Sequence, residues 1–160
     1  MTFAAIGLGA NLGEATGTIR SAIVALADLS SSPVQSSRLY RSPAWGRTDQ
    51  PDFINAVALI ETRLSARALL DRLLAIERNF GRTRVEGERW GPRTLDLDLL
   101  LHGAAVIDEP GLRVPHPHLH ERAFVLLPLA EIAPEARIPG IGVARDLAAA
   151  MAAGGIEALP

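Results

Sequence analysis

Thr94-Leu95-Asp96-Leu97-Asp98-Leu99-Leu100-Leu101 alternates leucine with aspartate before running into continuous leucine. In an extended chain successive side chains point to opposite faces, so Asp96 and Asp98 fall on one face and Leu95, Leu97 and Leu99 on the other. The leucines also permit a helical segment, and periodicity over so few residues does not separate the two. A strand over 94–101 is the expectation carried forward. Two carboxylates side by side on a mostly buried strand are unfavourable unless a cation neutralises them. The hard cation that takes one or two carboxylates together with phosphate oxygens is Mg2+. One reading is therefore a two-metal phosphate clamp. The other is a strand with one solvent-facing side, which presents the same bare Asp-x-Asp.

The segment just upstream bears on that choice. Gly81-Arg82-Thr83-Arg84-Val85-Glu86-Gly87-Glu88-Arg89-Trp90-Gly91-Pro92-Arg93 has no hydrophobic period and is rich in arginine and glycine, so a mobile surface loop is expected over 82–92. Guanidinium forks match phosphate oxygens, and a glycine-bearing loop can close over a polyphosphate. The glutamates could instead pair with the arginines on a solvated face at little energetic gain. Arginines that end so close to the carboxylates favour the phosphate reading.

Outward from this block, residues 3–8 read as a strand ending in the glycine turn Gly7-Leu8-Gly9-Ala10-Asn11-Leu12-Gly13, followed by helical spacing of Ile19, Ile23, Leu26 and Leu29. Strands are expected over 34–40 and 53–61, with a functional loop holding Pro43, Gly46 and Pro51 between them. Ser65 is an N-cap for a helix carrying Leu69, Leu70, Leu73, Leu74 and Ile76 and ending at Gly81. A short edge strand at Val106 and Ile107 and helices over 121–132 and 143–152 complete the order. Strand, helix, two strands, helix, strand points to an α+β sandwich with a mostly antiparallel sheet and helices packed on it.

A chain of 160 residues is expected to form a single domain with one sizeable core. Its 48% hydrophobic and 21% charged residues are a globular balance. A net charge of −2 and a pI near 6.1 give no global pull towards nucleic acid or anionic membrane, so phosphate must be gripped by local cations. With 4% aromatic residues and no RNP-like run, a sheet that stacks RNA bases is disfavoured. The absence of cysteine removes thiolate chemistry and suits the cytosol. No basic leader and no apolar run of spanning length are present, and a cytoplasmic location is expected.

Two glycine motifs are excluded. Leu12 stands where the third glycine of a dinucleotide fingerprint belongs, and no lysine follows a glycine loop as phosphate-binding P-loops require. His116-Pro117-His118-Leu119-His120 could ligate a transition metal, or a histidine there could contact a nucleotide phosphate.

Three blocks carry a family likeness: Tyr40-Arg41-Ser42-Pro43-Ala44-Trp45, Asp49-Gln50-Pro51-Asp52-Phe53-Ile54-Asn55-Ala56 and Arg89-Trp90-Gly91-Pro92-Arg93-Thr94-Leu95-Asp96-Leu97-Asp98. Together with Gly9-Ala10-Asn11-Leu12-Gly13, Val114-Pro115-His116 and Ile132-Ala133-Pro134-Glu135, they resemble the 6-hydroxymethyl-7,8-dihydropterin pyrophosphokinases of folate biosynthesis over almost the whole chain. The resemblance implies a ferredoxin-like α+β fold. It also implies transfer of the β,γ-diphosphate of ATP to the pterin hydroxymethyl group, leaving AMP, by a monomer that uses two Mg2+ ions and touches neither nucleic acid nor membrane.

By position, Asp96 and Asp98 match the metal ligands, and Arg82 and Arg93 join them as catalytic residues. Arg84, His116 and Arg122 match ATP contacts, with Leu70, Glu77 and Leu99 near base and ribose. Phe53 and Phe124 match an aromatic pair that sandwiches the pterin, Asn55 its amide reader, and Ser42, Pro43, Trp45 and Trp90 the pocket lining. A flat heteroaromatic ring suits two aromatic faces and an asparagine edge, although without the resemblance Phe53 and Phe124 read first as ordinary core residues. Departures from the pattern are Val85 and Glu86 where many members carry a lysine, Leu74 in place of a polar residue, and Gly111 and Arg113 where relatives place an arginine and a threonine. Closure of the loops around 44–51 and 82–92 after ATP binds is the expected order of events.

Overall fold

The computed structural model describes residues 1–43, 51–80, 95–151 and 155–160. The arginine-rich loop over 82–92, and with it Arg82, Arg84, Trp90 and Arg93, lies outside them, as does Trp45. Five elements build the frame: β1 (Thr2–Ala10), α1 (Ala15–Leu26), β4 (Phe53–Thr62), α2 (Ala66–Asn79) and β5 (Asp96–His102). Strands β1 and β4 pair antiparallel from Thr2↔Thr62 to Ala10↔Ile54, and β1 pairs antiparallel with β5 on its other edge. The sheet order is β10-β3-β4-β1-β5, with β3 (Tyr40–Ser42) and β10 (Glu157–Ala158) at one end and β5 at the other.

Both faces of this sheet are covered, which is why β1 and β4 read as nearly unbroken apolar runs rather than alternating ones. Ala4, Ile6, Leu8, Ile60, Leu97 and Leu99 pack with Ile19 and Leu26 of α1 and Leu69 and Leu73 of α2. On the opposite face Ala5, Val57, Leu100 and Leu101 meet Val125, Leu126 and Leu129 of α3 (Ala123–Ile132), with Ala144 of α4 (Ala144–Ala149) beyond. The β1–β5 register shifts between Ala5, opposite Leu101, and Ile6, opposite Leu99. Leu100 is therefore an extra residue on β5, and the bulge turns it and Leu101 to the α3 face together.

Several expectations are corrected. Gly7 and Gly9 are not in a turn: β1 runs on to Ala10, held by β4 and β5 on either side, and the turn falls at Gly13, with φ of 55°. The expected strand over 34–40 is two pieces, β2 (Gln35–Ser36) and β3, on the same edge of β4. Ser37 interrupts it, because its hydroxyl accepts the Val57 N–H at 3.0 Å, and so replaces a backbone partner. The edge strand at Val106 and Ile107 is instead a hairpin apart from the main sheet, β6 (Ile107–Glu109) with β7 (Leu112–Val114), turning at Gly111 with φ of 76°. The third helix starts at Ala123 after a 3-10 turn at Leu119–Glu121, and the fourth covers only Ala144–Ala149. A small ladder of β8 (Arg137–Ile138) and β9 (Gly142–Val143) precedes it. The Ser65 cap is as expected: its side chain accepts the Ala68 N–H at 3.2 Å.

Candidate active site

Strand register sets out the site. Asp96 lies opposite Gly9, which lies opposite Asn55; Asp98 lies opposite Gly7, which lies opposite Val57. Directly opposed residues share a face, so the two aspartates, Asn55 and the next alternate residue Phe53 all belong to the face covered by α3. Because β1 contributes only glycines to these rows, no β1 side chain stands between the carboxylates of β5 and the polar end of β4. Asp96 and Asp98 are half-buried while Leu97 and Leu99 are buried, as the alternation requires.

Asn55 is buried, and its Nδ2 donates to Ser42 Oγ at 3.2 Å; Ser42 is buried beside it on β3. Pro43 follows; a Cβ built on Gly155, whose φ of 78° leads the chain into β10, would stand 3.4 Å from the Pro43 ring. Asn11 is 2% exposed and its Nδ2 donates to the Pro51 carbonyl at 3.3 Å, tying the end of β1 to the segment that enters β4. Phe124, in the first turn of α3, packs into the cluster on this same face, and the Arg122 guanidinium lies 5.6 Å from its ring centre. Tyr40, opposite Asn55, donates its hydroxyl to Glu131 of α3, and Glu131 also accepts the Arg38 N–H at 2.9 Å. Burial, then the Glu131 hydrogen bond and charge, push the Tyr40 phenol up to about 12.

At the outer edge of β5 a cleft of about 420 Å³ opens between α2 and the β6–β7 hairpin. Leu70, Leu99, Asp98, His116, Gly111 and Arg113 are among its walls, so three of the expected nucleotide residues share one space with an aspartate. Arg67 straps the hairpin to α2 by donating to Glu109 and to the Pro110 carbonyl, each at 3.0 Å. His116 Nε2 is 3.9 Å from Asp98 Oδ1, and its Nδ1 accepts the His118 N–H at 3.3 Å. Burial and then the Arg122 and His118 charges lower the His116 pKa, against a smaller opposite pull from the Asp96 carboxylate. His118 pairs instead with Glu121 at 3.1 Å, and among the described residues no group of three or more His, Cys, Asp or Glu could hold a metal. The three histidines do not form a transition-metal cage.

Glu77 has a second role that sequence reasoning missed. It is 2% exposed on α2, and its carboxylate accepts the Leu97 N–H at 2.7 Å. Leu97 sits between the two aspartates, and among the described residues β5 ends the sheet, so α2 supplies the hydrogen-bond partner that a further strand would otherwise give. The only sequence signal is an acid on an otherwise apolar helix stripe.

Residues 5–134 match the family model described as 7,8-dihydro-6-hydroxymethylpterin-pyrophosphokinase (HPPK). The chain is 47% identical over 156 residues to the 2-amino-4-hydroxy-6-hydroxymethyldihydropteridine pyrophosphokinase of Pseudomonas aeruginosa, covering 97% of this chain and 95% of that one. Its counterpart from Methylorubrum extorquens is 43% identical over 158 residues, with 98% of each covered. The crystal structure of wild-type Plasmodium falciparum HPPK-DHPS with pteroate superposes with a TM-score of 0.70 at 14% identity over 92% of this chain, a likeness of fold. The chain spans 42% of that protein's length. A match that runs from β1 through α3, and relatives of equal length at 43–47% identity, decide the matter: the chain belongs to the 7,8-dihydro-6-hydroxymethylpterin-pyrophosphokinase family.

Proposed function

We propose that the chain transfers the β,γ-diphosphate of ATP to 6-hydroxymethyl-7,8-dihydropterin, yielding AMP and the pterin diphosphate, with Asp96 and Asp98 as the metal-holding residues. The observation that carries the site assignment is the cross-sheet row Asp96, Gly9, Asn55, which sets a carboxylate and a buried amide on one sheet face with a bare strand between them. Two half-buried carboxylates on one strand face fit Mg2+, which binds through one or two carboxylates and completes its shell with water and phosphate. When bound, two such ions would neutralise the charge of the transferring phosphates.

On this reading the pterin ring lies between Phe53 and Phe124, its amide edge on Asn55, with Ser42, Pro43, Trp45 and Trp90 around it. The triphosphate extends past Asp96 and Asp98 towards His116 and Arg122, gripped also by Arg82, Arg84 and Arg93. Leu70, Glu77 and Leu99 lie by the base and ribose. The pterin hydroxyl oxygen bonds to the β-phosphorus as the bond from that phosphorus to the α,β-bridging oxygen breaks. AMP keeps that oxygen, and the hydroxyl proton passes to water. The residues contribute positioning and charge rather than a side-chain base. The chain is read as one domain acting as a monomer in the cytoplasm; among the described residues no helix is long and apolar enough to cross a membrane.

Asp96→Asn and Asp98→Asn test the assignment. Each is expected to lower turnover by about a hundredfold or more, the scale for removing charge stabilisation at a reacting centre, while the unfolding midpoint stays near that of the parent. Near-parental turnover in both variants would sink the metal role.

A further inference from the structure

We infer that Gly9 is a positioning residue of the pterin site: its missing side chain is what lets the Asn55 amide lie across β1, towards Asp96. This rests on the reading of Asn55 as the residue that meets the pterin.

Gly9 does not serve the backbone. It lies inside β1, paired on both sides, and it is absent from the glycines with positive φ, so the local conformation is one that alanine adopts. The same strand accepts methyl groups at Ala4, Ala5 and Ala10. A glycine within a strand forfeits packing and costs conformational entropy, and commonly marks the close approach of another group. Here that group is visible. A Cβ built on Gly9 would stand 3.0 Å from Asn55 Oδ1, tighter than nine in ten real contacts, and among the described residues no other atom comes within 4 Å of it. The amide cannot withdraw easily, because it is buried and its Nδ2 is held by Ser42 on the far side, at 3.2 Å. The side chain therefore lies across the sheet with its nitrogen towards β3 and its oxygen over β1. At Gly7, two residues earlier, the equivalent space is taken by Leu100, whose side chain would meet an added Cβ at 3.5–3.6 Å, an ordinary van der Waals contact. The two glycines thus differ: a methyl fits at 7 and displaces a polar reader at 9.

A methyl at Gly9 moves the amide oxygen by a few tenths of an ångström or tilts it off Ser42, and valine moves it further. Binding of the pterin should weaken, while the nucleotide cleft, on the other edge of β5, keeps its affinity. The test is titration of 6-hydroxymethylpterin, followed by its own fluorescence, in the presence of a non-hydrolysable ATP analogue, with the analogue's Kd measured separately. Gly9→Ala should raise the pterin Kd several-fold and Gly9→Val by about tenfold or more, the scale of one lost hydrogen bond, with analogue Kd within about twofold. Gly7→Ala controls for a methyl on the same strand face and should leave the pterin Kd within about twofold. If Gly9 acts through Asn55, Gly9→Ala adds nothing in an Asn55→Ala background. Equal losses in both backgrounds, or a parental Kd for Gly9→Val, overturn the inference alone. A parent protein that binds no pterin overturns the reading of Asn55 and this inference with it.

Discussion

Replacing Glu77 by alanine removes the acceptor that α2 offers to the outer edge of β5. Its carboxylate takes the Leu97 N–H at 2.7 Å in a site where the side chain is only 2% exposed, so no bulk water is at hand to replace it. An orphaned buried donor costs about 1–3 kcal/mol, and the truncated side chain leaves a void that adds about 1 kcal/mol. A loss of about 2–4 kcal/mol is expected, or a fall in unfolding midpoint on the order of 4–16 °C for a chain of this size. Glutamine keeps an oxygen at the same reach and should cost about 1 kcal/mol or less. Urea denaturation read by far-UV circular dichroism gives both values. Because Leu97 lies between Asp96 and Asp98, turnover should fall further in Glu77→Ala than in Glu77→Gln. If Glu77 served the nucleotide alone, alanine would raise the KM for ATP and leave stability within about 0.5 kcal/mol of the parent, and that outcome would refute the strand-edge role.

Two further outcomes follow from the sheet. Ser37→Ala strips the Val57 N–H of its partner where β2 gives way to β3, and should destabilise by about 1–3 kcal/mol in the same denaturation assay, since Val57 is fully buried. Tyr40 keeps its proton to about pH 12 in the folded chain but loses it near 10 when unfolded, so the folded form binds more protons between those values. Stability from this group is complete below pH 10 and is lost as pH rises towards 12; unfolding midpoints across that window should fall more steeply for the parent than for Tyr40→Phe, and parallel curves would contradict it.

What could be read from the residues was local or strongly patterned. The Asp-Leu alternation placed Asp96 and Asp98 on one strand face, Ser65 announced the start of α2, and the apolar run from Phe53 foretold β4. The misreadings have tertiary causes. Gly7 and Gly9 looked like turn residues because glycine is rare in strands; only the pairing of β1 with both β4 and β5 shows that the space above them is occupied by Leu100 and Asn55. The break at Ser37 depends on a hydroxyl meeting a backbone N–H 20 residues away, and the tie from Glu77 to Leu97 on a helix docked against a strand edge. Helix α1 has no side-chain cap at Glu14, so its start carried no capping signal. The β6–β7 hairpin is short and half-exposed, with too little alternation to stand out. Family likeness supplied the pairing of Phe53 with Phe124, which no spacing in the sequence suggests.

Identification of the nucleotide product tests the central claim most directly. With ATP, Mg2+ and 6-hydroxymethyl-7,8-dihydropterin, the protein should release AMP in step with pterin diphosphate, followed by chromatography of the nucleotides and phosphorus resonance of the pterin product. ADP would mean transfer of a single phosphate and released pyrophosphate a nucleotidyl transfer, and either as the main product would contradict diphosphate transfer by this site.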